Sequence, residues 1–183
     1  MPLQLSMRLL IYGFGPYRHF QYNITERILR KLPNRRSIKK IVFPVRFHKT
    51  QFTDVIEEFN PDVILGMGQC SKGRLLRIEK RAVNKRKSEK REKARAIVAG
   101  GAGTLLTNLK FDLGREARVS RNAGDYVCNF SMYVMLDCLR RRRRTIPFGF
   151  IHIPHGYEEK KATRLLAKVI NKLIGSRRSG RNS

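Results

Sequence analysis

The chain has 183 residues, with 40 Lys or Arg against 14 Asp or Glu, a formal net charge of +26 and 41% hydrophobic content. That length is most simply one domain with a sizeable core, and no apolar run is long enough to span a bilayer. Three cysteines without framework spacing, no CxxC motif and no secretory-type apolar leader exclude a disulfide scaffold and a zinc site from the expectations and point to a reducing, cytoplasmic setting.

Residues 7–12 form an apolar run that ends at glycines, which predicts a strand. Residues 25–32 carry apolar side chains at helical spacing, and residues 39–45 read as a second strand. An amphipathic helix follows over 47–59, with Phe52, Val55, Ile56 and Phe59 on one face. Pro61 opens a strand over 62–67. Residues 75–83 alternate and predict one more strand. The stretch 85–95 is so rich in Lys, Arg and Glu that it is helical by propensity or disordered by charge. Gly100 to Gly103 is a loop, and a short helix over 109–116 is broken by Gly114. Then come a helix over 126–139, a strand over 148–153 and a helix over 157–174. From Gly175 onward, Ser, Gly and Arg predict a basic disordered tail. Strands alternating with helices imply an α/β fold over residues 1–174: a three-layer αβα sandwich around a twisted, largely parallel, mixed sheet.

Three segments carry possible chemistry. Cys128 follows the turn-prone stretch Asn122-Ala123-Gly124-Asp125 and falls in the first turn of the 126–139 helix. The N–H groups and positive dipole end there favour thiolate over thiol; a plain core cysteine is the alternative. His152 interrupts an apolar strand near its end, where α/β sheets place their sites, although a satisfied core histidine also fits. Glu79 lies in a basic strand, where half of a surface ion pair is the simple reading. Together the three supply a nucleophile, a base and a carboxylate to orient the base. The turn Gly13-Phe14-Gly15-Pro16 lacks the third glycine of a dinucleotide fingerprint, and Gly100 to Gly103 lacks the Lys-Ser/Thr of a P-loop.

Five short motifs then stand in a known order. Gly13-Phe14-Gly15-Pro16-Tyr17, Met67-Gly68-Gln69, Glu79-Lys80-Arg81-Ala82-Val83-Asn84, Ala123-Gly124-Asp125-Tyr126-Val127-Cys128-Asn129 and Phe150-Ile151-His152-Ile153-Pro154 follow one another along the chain. In this the chain resembles the type I pyroglutamyl peptidases, which are cysteine exopeptidases, from about Leu9 to Leu173. The resemblance implies a triad of Cys128, His152 and Glu79. It implies that Phe14, Tyr17, Tyr126 and Val127 enclose the apolar edge of a pyroglutamyl lactam, and that Gln69 reads its amide. It implies no cofactor and no metal, a pyroglutamyl peptide as substrate, and a homo-oligomer.

Two features depart from the family. The loop after Asn84 is strongly basic (Lys85 to Lys93), and no counterpart of the family's loop arginine can be aligned there. The segment from Glu79 to Cys128 is also short. With the run Arg140 to Arg144 and the tail, the basic loop suggests non-specific contact with polyanions. The alternative function is therefore the same fold recruited as a nucleic-acid or ribonucleoprotein-binding component. The Arg140 to Arg144 run is expected at the end of the molecule opposite the candidate site.

Overall fold

The computed structural model describes residues 7–89 and 91–175. Along the chain run β1 (Leu9–Phe14), α1 (Ile24–Lys31), β2 (Ile38–Phe43), α2 (Thr50–Phe59), β3 (Val63–Cys70), β4 (Leu76–Glu79), β5 (Arg81–Val83), β6 (Thr104–Leu106), β7 (Ala117–Ser120), α3 (Val127–Arg141), β8 (Phe148–Pro154) and α4 (Glu159–Gly175). Six strands form one sheet in the order β2-β1-β3-β8-β4-β7. β2, β1, β3 and β8 are parallel; β4 runs antiparallel to β8, and β7 is parallel to β4. β5 and β6 form a separate antiparallel pair.

The central strands are apolar on both faces because both faces are covered. Every residue of β1 and β8 is buried. On one side, Ile24, Ile28 and Leu29 of α1 and Leu166, Val169 and Ile170 of α4 close one core. On the other, Phe52, Val55 and Ile56 of α2 join Phe130, Met132 and Met135 of α3. This is the expected three-layer sandwich. α1 follows β1 on one face and α2 follows β2 on the other. The connections therefore diverge at the carboxyl end of β1, where sheets of this kind open a crevice.

Local chemistry sets the helix ends. The Asn23 side chain accepts from the Thr25 backbone N–H at 3.1 Å and starts α1. Asn60, in the left-handed conformation, ends α2 just before Pro61.

Four expectations need correction. The strand predicted over 75–83 is two strands parted at Lys80. β4 keeps Glu79 between β8 and β7, while β5 leaves the sheet to pack Ala82 against α3. The helix predicted over 109–116 is only a 3-10 turn, Gly114–Glu116, leading into the edge strand β7. β7 carries no strand signal in the sequence, because Ala117-Arg118-Val119-Ser120 is short and half polar. Among the described residues the 85–95 stretch is neither a helix nor shapeless: it is a loop pinned by paired backbone hydrogen bonds between Arg86 and Arg95. The predicted tail begins at Gly175, which instead closes α4; residues 176–183 lie outside the described residues.

Candidate active site

The carboxyl ends of β1, β3 and β8 and the start of α3 surround a cleft of about 680 Å3. Cys128, His152, Phe14, Tyr17, Gln69, Tyr126 and Val127 all line it. Glu79 does not: it stands behind His152 with no exposed surface. The structure therefore brings all eight residues singled out in the sequence to one place.

Sheet register explains the His152–Glu79 contact. His152 lies opposite Arg77 on β4, and Phe150 lies opposite Glu79. Glu79 is thus the diagonal neighbour of His152 on the same face, within reach of two side chains. Its Oε1 stands 2.8 Å from His152 Nδ1. That contact fixes which ring nitrogen faces the acid and turns Nε2 toward the cleft. Glu79 is held by its own backbone too, where its carbonyl accepts from the Thr107 hydroxyl at 2.9 Å.

Gly68 makes room for the sulfur. It lies opposite His152 on the other side of β8. A β-carbon at Gly68 would stand 2.5 Å from Cys128 Sγ and 3.0 Å from His152 Cδ2. Only glycine lets the helix start and the strand approach this closely. Thiol and imidazole therefore share one small space over Gly68.

The turn before α3 aims the cysteine. Asn122 Oδ1 accepts from the Gly124 N–H at 3.0 Å, and Gly124 takes a left-handed conformation. Asn129 ties the helix start to β5: its Oδ1 accepts from Val83 N–H at 2.9 Å, and its Nδ2 donates to the Val83 and Lys85 carbonyls. No side chain caps α3 at Tyr126. The N–H groups of its first turn are therefore available to a group in the cleft.

The charge state of the thiol corrects the sequence expectation. Burial first, then the neighbouring Cys70 and Glu79, push the Cys128 thiol up to about 12 from its ordinary value of 9.0. Desolvation against the sheet outweighs the helix start, so the resting group is a thiol. Cys128 still keeps part of its surface open to the cleft.

Gln69 is held with its Oε1 accepting from the Ile24 N–H at 2.9 Å, while its buried Nε2 has no hydrogen-bond partner. A buried amide donor left in this way costs free energy unless a ligand acceptor meets it. Burial raises the Tyr17 phenol. The Tyr17 and Tyr126 rings lie 6.3 Å apart and form an aromatic wall.

Sequence reasoning missed several supports. Asn84 binds the basic loop through Ile97 and Val98, and Asn23 reaches the Gly15 carbonyl at 3.0 Å. Polar residues embedded in apolar motifs were the available signal. Cys70 also lines the cleft, and its thiol is raised by burial. His155 is half-buried between the Phe20 and Tyr22 rings. Among the described residues no cluster of His, Cys, Asp and Glu could hold a metal ion, and no helix is long and apolar enough to cross a membrane.

Known proteins share this arrangement of sequence. The family described as pyroglutamyl peptidase matches residues 7–163. The chain belongs to the pyroglutamyl peptidase family. A pyrrolidone-carboxylate peptidase of Clostridium perfringens is 29% identical over 185 residues, covering 91% of this chain and 83% of its own. One from Thermosipho melanesiensis is 26% identical over 172 residues, covering 84% of this chain and 85% of its own. In fold, the chain is similar to a mutant pyrrolidone carboxyl peptidase from Pyrococcus furiosus. The TM-score is 0.81 at 24% identity, over 92% of this chain and 98% of that one. The pyroglutamyl peptidase I of Bacillus amyloliquefaciens gives a TM-score of 0.79 at 22% identity, over 90% and 93% of the two chains.

Proposed function

We propose that this chain is a cysteine exopeptidase that removes an N-terminal pyroglutamyl residue through Cys128, His152 and Glu79. The observation that carries the reading is the packing over Gly68: the Cys128 sulfur and the His152 ring meet there, and the buried Glu79 carboxylate holds the far side of the ring at 2.8 Å.

The resting thiol is neutral, so its proton must leave as attack occurs. His152 Nε2 takes that proton, and Cys128 Sγ bonds to the carbonyl carbon of the pyroglutamyl residue. The N–H groups at the uncapped start of α3 receive the negative oxygen, usually the largest single contribution in such reactions. The C–N bond then breaks as His152 returns the proton to the leaving amine. Water, giving its proton to His152, hydrolyses the thioester and restores the thiol. Glu79 orients the ring and stabilises its charged form without taking the proton itself. Phe14, Tyr17, Tyr126 and Val127 bound the lactam, and Gln69 Nε2 donates to its carbonyl. An ordinary N-terminus offers no such match and is rejected.

The test is hydrolysis of a fluorogenic pyroglutamyl amide by the purified protein, with Cys128→Ala as control. Turnover that persists in Cys128→Ala, or none in the wild type, overturns the reading.

The reading includes a single α/β unit over residues 1–174, a cytoplasmic setting and self-association, the last checked by light scattering. Contact with polyanions is confined to salt-sensitive attraction. Arg140 and Arg141 are ion-paired with Asp137, and Arg142 with Glu57, which leaves less of the Arg run available for phosphate.

A further inference from the structure

One cation in the cleft wall has no assigned work. Gly68, His152 and Arg77 form a row across β3, β8 and β4 on one face of the sheet. Cys128 stands over the first of these, so Arg77 lies on the far side of His152 from the sulfur. The lactam side of the cleft is at Phe14, Tyr17 and Gln69. The leaving amine receives its proton at His152, and the chain beyond the scissile bond must therefore pass toward Arg77.

Arg77 is also the cation with nothing to pair it. Its Nη2 donates to the Lys72 carbonyl at 2.8 Å, and its Nε is buried without a partner. No ion pair joins it to any carboxylate among the described residues. The other cations of the cleft are occupied: Lys87 pairs with Asp125 at 3.9 Å, and the Arg18 guanidinium lies over the Tyr126 ring at 4.7 Å. Leaving a buried guanidinium N–H without a partner is unfavourable unless an acceptor arrives with the ligand. The acceptor that matches its fork is a carboxylate.

Resting on the pyroglutamyl peptidase reading, we infer that Arg77 selects substrates carrying a carboxylate immediately after the scissile bond. Two sources share that chemistry: an Asp or Glu side chain following the pyroglutamate, and the free C-terminus of a pyroglutamyl dipeptide. Arg77 is thus a specificity-determining residue on the leaving-group side, not a participant in proton transfer.

The experiment compares kcat/KM for pyroglutamyl-Glu-Ala-amide with pyroglutamyl-Gln-Ala-amide, and for pyroglutamyl-Ala as free acid with its amide. The first pair tests the side chain and the second the terminus. In the wild type, at least one pair should favour the carboxylate by about ten-fold. Arg77→Gln should bring that ratio to about one, and Arg77→Lys should keep part of it, whatever the absolute rates. Because the whole chain is strongly cationic, any anionic peptide could be drawn in by the long-range field. Pyroglutamyl-Ala-Ala-Ala-Glu-amide controls for this, and it should show no comparable preference over its Gln counterpart. Equal preference for near and distant charge, no wild-type preference, or a ratio untouched by Arg77→Gln overturns the inference. If Arg77→Gln does not fold, the near-versus-distant comparison in the wild type decides. Equal hydrolysis of all these peptides defeats the inference alone. Failure to cleave any of them, and a neutral pyroglutamyl coumarylamide as well, defeats the parent reading with it.

Discussion

The two ends of α3 are built oppositely. Its first turn has no side-chain cap, and Tyr126, Val127 and Cys128 line a cleft. Its last turn is closed: Arg142 N–H bonds the Cys138 carbonyl at 3.1 Å, and Arg144 N–H bonds Leu139 at 2.9 Å. Asp137 collects Arg140 and Arg141, and Arg142 reaches Glu57 across to α2. Cations at a helix C-terminus also suit its dipole. One end leaves hydrogen-bonding capacity for a ligand; the other consumes it in structure. The Arg run lies, as expected from the sequence, at the end away from the cleft.

The comparison can be broken from the cleft end first. Cys128→Ala should remove pyroglutamyl amide hydrolysis, with kcat/KM falling by roughly 10^4-fold or more, and His152→Ala should do the same. The two changes combined should cost little beyond either one. Additive losses would mean that the two do not act as a unit. Next, Gly68→Ala places a methyl where the sulfur and ring meet, and it should lower kcat by about 10^2-fold through misplacement. A variant with unchanged kcat would show that the crowding at 2.5 Å is relieved without moving the thiol. Glu79→Gln keeps shape but not charge, and a loss of roughly 10^2-fold with residual turnover is expected. Activity equal to wild type would remove Glu79 from the triad.

Charge state gives a sharper test. The Cys128 thiol is raised to about 12, so the thiolate fraction grows with pH throughout the neutral and alkaline range. Iodoacetamide modification of Cys128 in the ligand-free protein should therefore speed up steadily from pH 6 to pH 9. A rate already level at pH 6 would mean a preformed thiolate. At the other end of α3 the smallest effects are expected. Arg140→Ala or Arg141→Ala should each cost at most about 1 kcal/mol in urea unfolding, since both side chains are half exposed, and leave hydrolysis unchanged.

The sandwich and the grouping of Cys128, His152 and Glu79 could be read from sequence because their signals are local. β1 and β8 are continuous apolar runs, and Cys128, His152 and Glu79 each sit in a short motif. What could not be read depends on pairing between distant segments. The split at Lys80 arises because β4 and β5 serve different sheets, which alternation alone does not reveal. β7 is an edge strand defined only by its partner β4. The neutrality of Cys128 comes from sheet atoms packed behind it, whereas sequence shows only the helix start in front. Arg77 gave no signal either, because its position beside His152 is a matter of register between residues 75 apart in the chain.

Asn129 has a further consequence. Its three hydrogen bonds to Val83 and Lys85 fasten the residue after the thiol to the strand that leaves Glu79, and α3 is buried along most of its length. Cys128 thus has no hinge of its own. Heat should not disarm this protein by loosening a loop while the body stays folded; inactivation and global melting should fall on one curve, so that residual activity serves as a count of intact molecules.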